Sequence, residues 1–143
     1  MNQIKICHWN ANGLNQHKLE LYNFLCTNDV DVMLISETHL TDKYNFYIHG
    51  FKFYKTNHPD GKAHGGTGIL IRERLKHSLM PNVSEKYLQT TTLRLECWGL
   101  SIAICSVYFP PRFVLTDSEF TRFFNSLGNT FIAAGDYNAK HPF

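Results

Sequence analysis

The run Val30-Asp31-Val32-Met33-Leu34-Ile35-Ser36 constrains this chain more than any other stretch. An apolar sequence broken only by Asp31 reads as a central strand, buried on both faces. Just before it, Leu21, Phe24 and Leu25 recur at helical spacing, which predicts a helix over 16–27 that ends at Asn28-Asp29. Earlier still, Ile4-Lys5-Ile6-Cys7-His8-Trp9 alternates apolar and polar residues as a strand does, then meets the turn signal Asn10-Ala11-Asn12-Gly13. A strand, a helix and a second strand in that order place the two strands parallel.

The remaining pattern is strand-rich. Strands are expected over 51–56, 67–71, 90–97 and 100–108, with a flexible loop at 58–66 and a stop at Pro110-Pro111. Thr116 and Glu119 have the spacing of a capping box. Phe120, Phe123, Phe124 and Leu127 form the apolar stripe of the helix it opens, and Gly128 stands where a C-terminal cap belongs. After the Gly128-Asn129 turn, Phe131-Ile132-Ala133-Ala134 predicts a last, buried strand. The fold class is therefore mixed α/β, and 143 residues set one domain over 1–143.

Composition narrows the function class. With 43% hydrophobic and 14% aromatic residues the chain is globular in type rather than disordered. No apolar stretch is long enough to span a bilayer, so no membrane partner is expected. Four cysteines without a C-x-x-C pair, and strand-like sequence from Ile4 onward, predict a reduced intracellular setting with no signal peptide. A net charge of +2 permits nucleic-acid binding without arguing for it. The eight histidines show no Cys/His or H-x-x-x-H ligand spacing, so a zinc centre is not expected.

Polar residues gather just past the ends of the expected strands: Asn10 and Asn12, Glu37, Tyr108, then Asp136 and Asn138. Side chains at one sheet edge can converge on one cleft. Glu37 is a hard oxygen ligand suited to Mg²⁺, which needs only one or two carboxylates; it could equally be an acid that opens a turn. If strand geometry continues past Asp136, its carboxylate and the Asn138 amide face the same way. Such a pair can orient a nucleophile and donate to a phosphoryl oxygen, although an Asx turn explains the same residues. Tyr108 has the alternative of ordinary strand packing.

In sequence order these residues sit in Trp9-Asn10-Ala11-Asn12-Gly13-Leu14, Ser36-Glu37-Thr38, Gly65-Gly66-Thr67-Gly68-Ile69, Val107-Tyr108-Phe109-Pro110-Pro111 and Gly135-Asp136-Tyr137-Asn138-Ala139-Lys140-His141. The set resembles the endonuclease/exonuclease/phosphatase superfamily, and within it the apurinic-endonuclease-like domain of jockey-like non-LTR retrotransposons. The resemblance implies a four-layer α/β sandwich built of two similar halves. It implies Mg²⁺, or Mn²⁺ in its place, held by Glu37, with Asn10 near the metal and the scissile phosphate. Tyr108 would contact phosphate, Asp136 would orient or deprotonate water, and Asn138 would support the transition state. Asn12 stands where several relatives carry Asp, and His141 completes the family's Asn-Ala-Lys-His pattern; both are further candidates.

The substrate implied is DNA, nicked in the nucleus to start retrotransposition, with a reverse transcriptase downstream in the intact element. Oligomeric state is left open. The family's second half brings a further Asp and an Asp-His pair that this chain does not contain, since it ends at Phe143. The expectation is an N-terminal portion with its second half missing, an exposed inner sheet face and impaired catalysis. The alternatives are a phosphatase of the same superfamily, or a non-catalytic nucleic-acid-binding fragment that uses Arg72, Arg74, Lys76 and Arg112.

Overall fold

Alternation along β2 (Val32–Ser36) sorts the protein into layers. In the computed structural model, which describes residues 3–139, Met33 and Ile35 pack beside Leu21 and Leu25 of α1 (Lys18–Thr27). Val32 and Leu34, on the opposite face, pack against Leu93, Leu95 and Ile104 of a second sheet. The first sheet has the order β1-β2-β4-β3, with β1 Ile6–Asn10, β3 Phe51–Thr56 and β4 Thr67–Arg72. β1 and β2 are parallel, as the strand–helix–strand order predicts, and the β2–β4 and β3–β4 pairs are antiparallel.

The second sheet is built on the hairpin of β7 (Leu88–Cys97) and β8 (Leu100–Tyr108). Two short strands, β5 (His77–Leu79) and β6 (Val83–Glu85), pair with the free edge of β7. Beyond β8 the chain forms α2 (Asp117–Ser126) and returns as β9 (Phe131–Asp136), parallel to β8. Ala103, Cys105 and Val107 of β8 face Phe123 and Leu127 from the α2 region, while Ile104 faces the first sheet. The result is four layers: α1, sheet, sheet, α2.

The capping box forms as the sequence predicts. The Glu119 backbone N–H donates to Thr116 Oγ1 at 3.3 Å, and the Thr116 N–H donates to Glu119 Oε2 at 2.7 Å. A cap of this kind is worth about 1 kcal/mol.

Several expectations need correction. The inner face of the first sheet is not exposed: Val32, Leu34, Ile69 and Ile71 are fully buried under β7 and β8. The hairpin that covers them lies in this chain. β9 is an edge strand rather than a buried one, with Ile132 42% exposed, because β8 alone pairs with it among the described residues. A one-turn 3₁₀ segment, Asn15–His17, precedes α1, and Phe24 is 46% exposed despite its helical spacing with Leu21. β5 and β6 escape the sequence because three residues carry no readable period. The 58–66 loop is tied down by its own side chains rather than loose. Among the described residues no helix is long and apolar enough to cross a membrane.

Candidate active site

The four strands β1, β2, β8 and β9 end together. Asn10 closes β1, Glu37 follows β2, Tyr108 closes β8 and Asp136 closes β9. The Asn10 side-chain amide donates to Glu37 Oε1 at 3.2 Å and to Asp136 Oδ2 at 3.0 Å. Its Oδ1 accepts from the Asn12 backbone N–H at 3.0 Å, which fixes the direction of the amide. Two carboxylates from different sheets thus meet across one NH₂ group.

The backbone holds Glu37 firmly. Glu37 and His39 both take left-handed conformations, φ 54° and 53°, which are costly for residues with a Cβ and persist only where the surroundings enforce them. Here the surroundings are backbone hydrogen bonds. Gly13 N–H donates to the Glu37 carbonyl at 2.9 Å, and His39 N–H donates to the Gly65 carbonyl at 3.0 Å. The turn therefore aims the carboxylate at β9.

Asp136 is fixed from the other sheet. Ser36 Oγ donates to the Val107 carbonyl at 2.8 Å and accepts from the Asp136 N–H at 3.3 Å. His8 Nε2 lies 3.0 Å from the same oxygen. The hydroxyl hydrogen is already committed to Val107, so the ring nitrogen is the donor, which selects the Nε2–H tautomer of His8. Burial holds the His8 imidazole below the ordinary histidine range, against an opposing pull from Asp136.

Tyr108 stands beside Glu37. Burial first, then the charge of Glu37 and the hydrogen bond to it, push the phenol up to about 12; Asp136 adds to this and Arg112 opposes it. The hydroxyl therefore stays protonated and remains a donor at neutral pH.

The fold brings together Asn10, Glu37, Tyr108 and Asp136. It does not bring in Asn12, whose side chain is exposed, and His141 lies outside the described residues. Asn138 departs from the shared-face expectation. The strand stops at Asp136, Asn138 has φ 45°, and its N–H donates to Asp136 Oδ1 at 2.9 Å in an Asx turn. Its amide donates to the Phe109 carbonyl at 2.7 Å, so the side chain braces the turn.

Two contributors carry no assigned role in the sequence motifs, although Ser36 stands within one of them. Ser36 is the hub described above, and His39 places Nε2 at 3.4 Å from Glu37 Oε2. Both flank Glu37 in the chain, and that adjacency is the available signal. Of the four cations of the non-catalytic reading, Arg112 lies near enough to act on the Tyr108 hydroxyl, and the other three are located elsewhere. Arg72 binds Val30 and Asp29, Arg74 pairs with Asp31, and Lys76 pairs with Glu96 at 2.7 Å. Arg72 and Asp31 lie at the end of the first sheet opposite Glu37.

The donor set suits a hard divalent cation. Two carboxylates converge on a point where the positive ends of an amide now sit, and oxygen ligands of this kind favour Mg²⁺ or Mn²⁺. Asn10 presents hydrogens rather than its oxygen to that point, so it could serve as a ligand only with its amide turned over.

The model of the Endonuclease/Exonuclease/phosphatase family matches residues 7–143. The RNA-directed DNA polymerase from mobile element jockey of Drosophila melanogaster is 40% identical over 138 residues, which is 96% of this chain and 15% of that protein. The probable RNA-directed DNA polymerase from transposon X-element of the same species is 34% identical over 142 residues, 99% of this chain and 16% of that one. Among solved structures, the endonuclease domain of TRAS1, a telomere-specific non-LTR retrotransposon, superposes with a TM-score of 0.73 at 18% identity. That match covers 96% of this chain and 61% of the TRAS1 chain. An AP endonuclease from Archaeoglobus fulgidus gives 0.63 at 17% identity, covering 95% and 58%. The chain thus spans about 15% of these curated relatives and about 60% of the solved domains. It belongs to the endonuclease/exonuclease/phosphatase family, and in sequence it is similar to proteins of jockey and related mobile elements.

Proposed function

We propose that this chain is the N-terminal part of a Mg²⁺-dependent DNA endonuclease that nicks target DNA for retrotransposition. The observation that carries the reading is the Asn10 amide held between Glu37 and Asp136 at one end of two packed sheets, with Tyr108 beside them. Glu37 would hold the cation, which when bound would act as a Lewis acid on a phosphoryl oxygen and offset charge on the departing oxygen. Asp136, steadied by Asn10 and by the Asn138 N–H, orients the attacking water and accepts its proton. Tyr108, protonated at neutral pH, donates to a phosphoryl oxygen as charge develops there. Asn138 acts by shaping the Asp136 turn; it would reach the phosphate only after releasing Phe109. In-line attack that leaves a 3′-hydroxyl would supply a primer end. The curated relatives are RNA-directed DNA polymerases, which supports a reverse transcriptase in the intact element; a chromosomal DNA target would place the nicking in the nucleus.

A plasmid-nicking assay tests this. Nicking should require Mg²⁺ or Mn²⁺, stop with chelator, fall with rising salt, and drop by on the order of 10²–10³ or more in Glu37→Gln and Asp136→Ala. The 143-residue chain, which spans about 60% of the solved domains, should be slower than the whole endonuclease domain of its element. Nicking that survives both substitutions would overturn the assignment. Hydrolysis of small phosphomonoesters without nicking would replace it with the phosphatase reading.

A further inference from the structure

The loop between β3 and β4 carries three metal-ligating side chains that the active site does not use. Asp60 lies between two histidines: its Oδ1 is 2.9 Å from His58 Nδ1, and its Oδ2 is 2.7 Å from His64 Nε2. The two imidazoles face each other with ring centroids 4.0 Å apart and planes 35° from parallel. One nitrogen from each histidine and one carboxylate oxygen all fall within 4.8 Å of one another.

The local chain builds this arrangement. Gly61, at φ 74°, lets its N–H donate to the His58 carbonyl at 3.1 Å. The Lys62 N–H donates to Asp60 Oδ1 at 2.9 Å, and the His64 N–H donates to the Lys62 carbonyl at 2.9 Å. The Lys62 N–H above all, with the two histidines behind it, keeps the Asp60 carboxyl below the usual carboxylate range, so it is an anion. The Asp60 N–H also points at His58 Nδ1, at 3.3 Å. One ring nitrogen cannot accept from that N–H and donate to Oδ1 at the same time. His58 therefore presents a nitrogen on which two groups of opposite demand converge, beside an anion.

We propose that His58, Asp60 and His64 bind one transition-metal dication of the Zn²⁺ type, at a site separate from the Glu37–Asp136 centre. Two imidazole nitrogens and one carboxylate oxygen suit Zn²⁺ and its neighbours, whereas Mg²⁺ prefers all-oxygen sites. Bonds of about 2.0–2.1 Å in a tetrahedral site set ligand atoms about 3.3 Å apart. The present 2.9 and 2.7 Å contacts, which run to different oxygens of Asp60, would open by about half an ångström on that geometry, and the three ligand atoms, all within 4.8 Å of one another, would settle around the ion. The His58 side chain, 11% exposed, anchors the site, and His64, 47% exposed, closes it from solvent. Water completes the coordination on that open side.

The position gives the metal a consequence. His64 runs directly into Gly65, whose carbonyl accepts the His39 N–H beside Glu37. A Cβ at Gly65 would stand 3.4 Å from Tyr108 Cε1 and 3.5 Å from His58 Cδ2. A metal clip on the loop would therefore steady the backbone against which Tyr108 and His39 are placed.

The test is a titration of the full 143-residue chain with Co²⁺, read by its visible d–d absorption, followed by competition. One Co²⁺ per chain should show the intense absorption of a low-coordinate nitrogen–oxygen site, distinct from the weak absorption of any Co²⁺ held by the all-oxygen Glu37 centre, and Zn²⁺ but not excess Mg²⁺ should abolish that intense band. His64→Ala, which removes a largely exposed side chain, and His58→Ala should each weaken binding at least about tenfold. Glu37→Gln should leave it unchanged. No Co²⁺ binding, or binding that ignores both histidine substitutions while the variants keep the parent's circular dichroism, would overturn the site. Loss of binding in Glu37→Gln would assign the ion to the active-site acids instead.

Discussion

Ser36 and Ser106, on strands of different sheets, each donate to the backbone beside the other. Ser36 Oγ bonds the Val107 carbonyl at 2.8 Å, and Ser106 Oγ bonds the Ile35 carbonyl at 2.7 Å. Both side chains are fully buried. The reciprocal pair fixes how β2 and β8 face each other, and with that the distance from Glu37 to Asp136.

Removing either hydroxyl should destabilise the protein, but unequally. Ser36→Ala removes a partner of the Val107 carbonyl, the Asp136 N–H and the His8 Nε2–H, whereas Ser106→Ala removes only that of the Ile35 carbonyl. Urea unfolding should show a loss of about 2–3 kcal/mol for the first and about 1–2 kcal/mol for the second. Equal losses would mean that the bonds of Ser36 to Asp136 and His8 contribute nothing.

Gly135 admits no side chain. A Cβ there would fall 1.9 Å from the Val107 carbonyl oxygen, a rigid backbone atom. Gly135→Ala should cost more than about 4 kcal/mol and yield little folded protein, as measured by expression and denaturation. A variant with the parent's stability would show that β9 can move away from β8.

Tyr108 sets an alkaline limit. Its folded pKa is raised to about 12 from 10.0, so its contribution is fully present below pH 10 and lost as pH rises through about 12. Tyr137, buried near Cys105, shifts the same way to about 12. Phenolate absorbance should therefore rise late for these two tyrosines. Tyr108→Phe should reduce the loss of stability between those pH values and leave the Tyr137 share. An unchanged alkaline profile in Tyr108→Phe would contradict the burial and Glu37 contact inferred for its hydroxyl.

Thr38 presents the opposite problem. Its Oγ1 is buried and has no hydrogen-bond partner among the described residues. Valine has the same branched shape without the hydroxyl, so Thr38→Val should raise stability by about 1 kcal/mol in the same unfolding assay. A loss instead would mean that the hydroxyl makes a bond beyond those described.

Much of this fold is legible in the order of the residues, and particular positions explain where that legibility stops. Val32–Ser36, the β7–β8 hairpin and the Thr116 capping box are local signals, carried by side-chain period or by four adjacent residues. β5 and β6 are invisible because they exist to cover the edge of β7 rather than from any pattern of their own. Asn138 departs from its expected place because strand period and Asx-turn chemistry compete for the same residues, and the turn prevails once Asp136 ends the strand. His58 and His64 look unrelated in the linear chain because their convergence depends on a turn at Gly61 that ligand-spacing rules do not contain.

The order of apolar and polar residues is enough to establish the longer strands, the two helices and the family motifs the chain carries. It does not establish that Asn10 meets Asp136, 126 positions away, or that one amide joins acids from two sheets. Side-chain period is a property of a few neighbouring residues, so it survives in the linear chain. A contact between strand ends depends on how β2 and β8 face each other, and that relation arises only in the folded core, where Val32 and Leu34 pack on Ile104 and where Ser36 and Ser106 close their bonds across the interface.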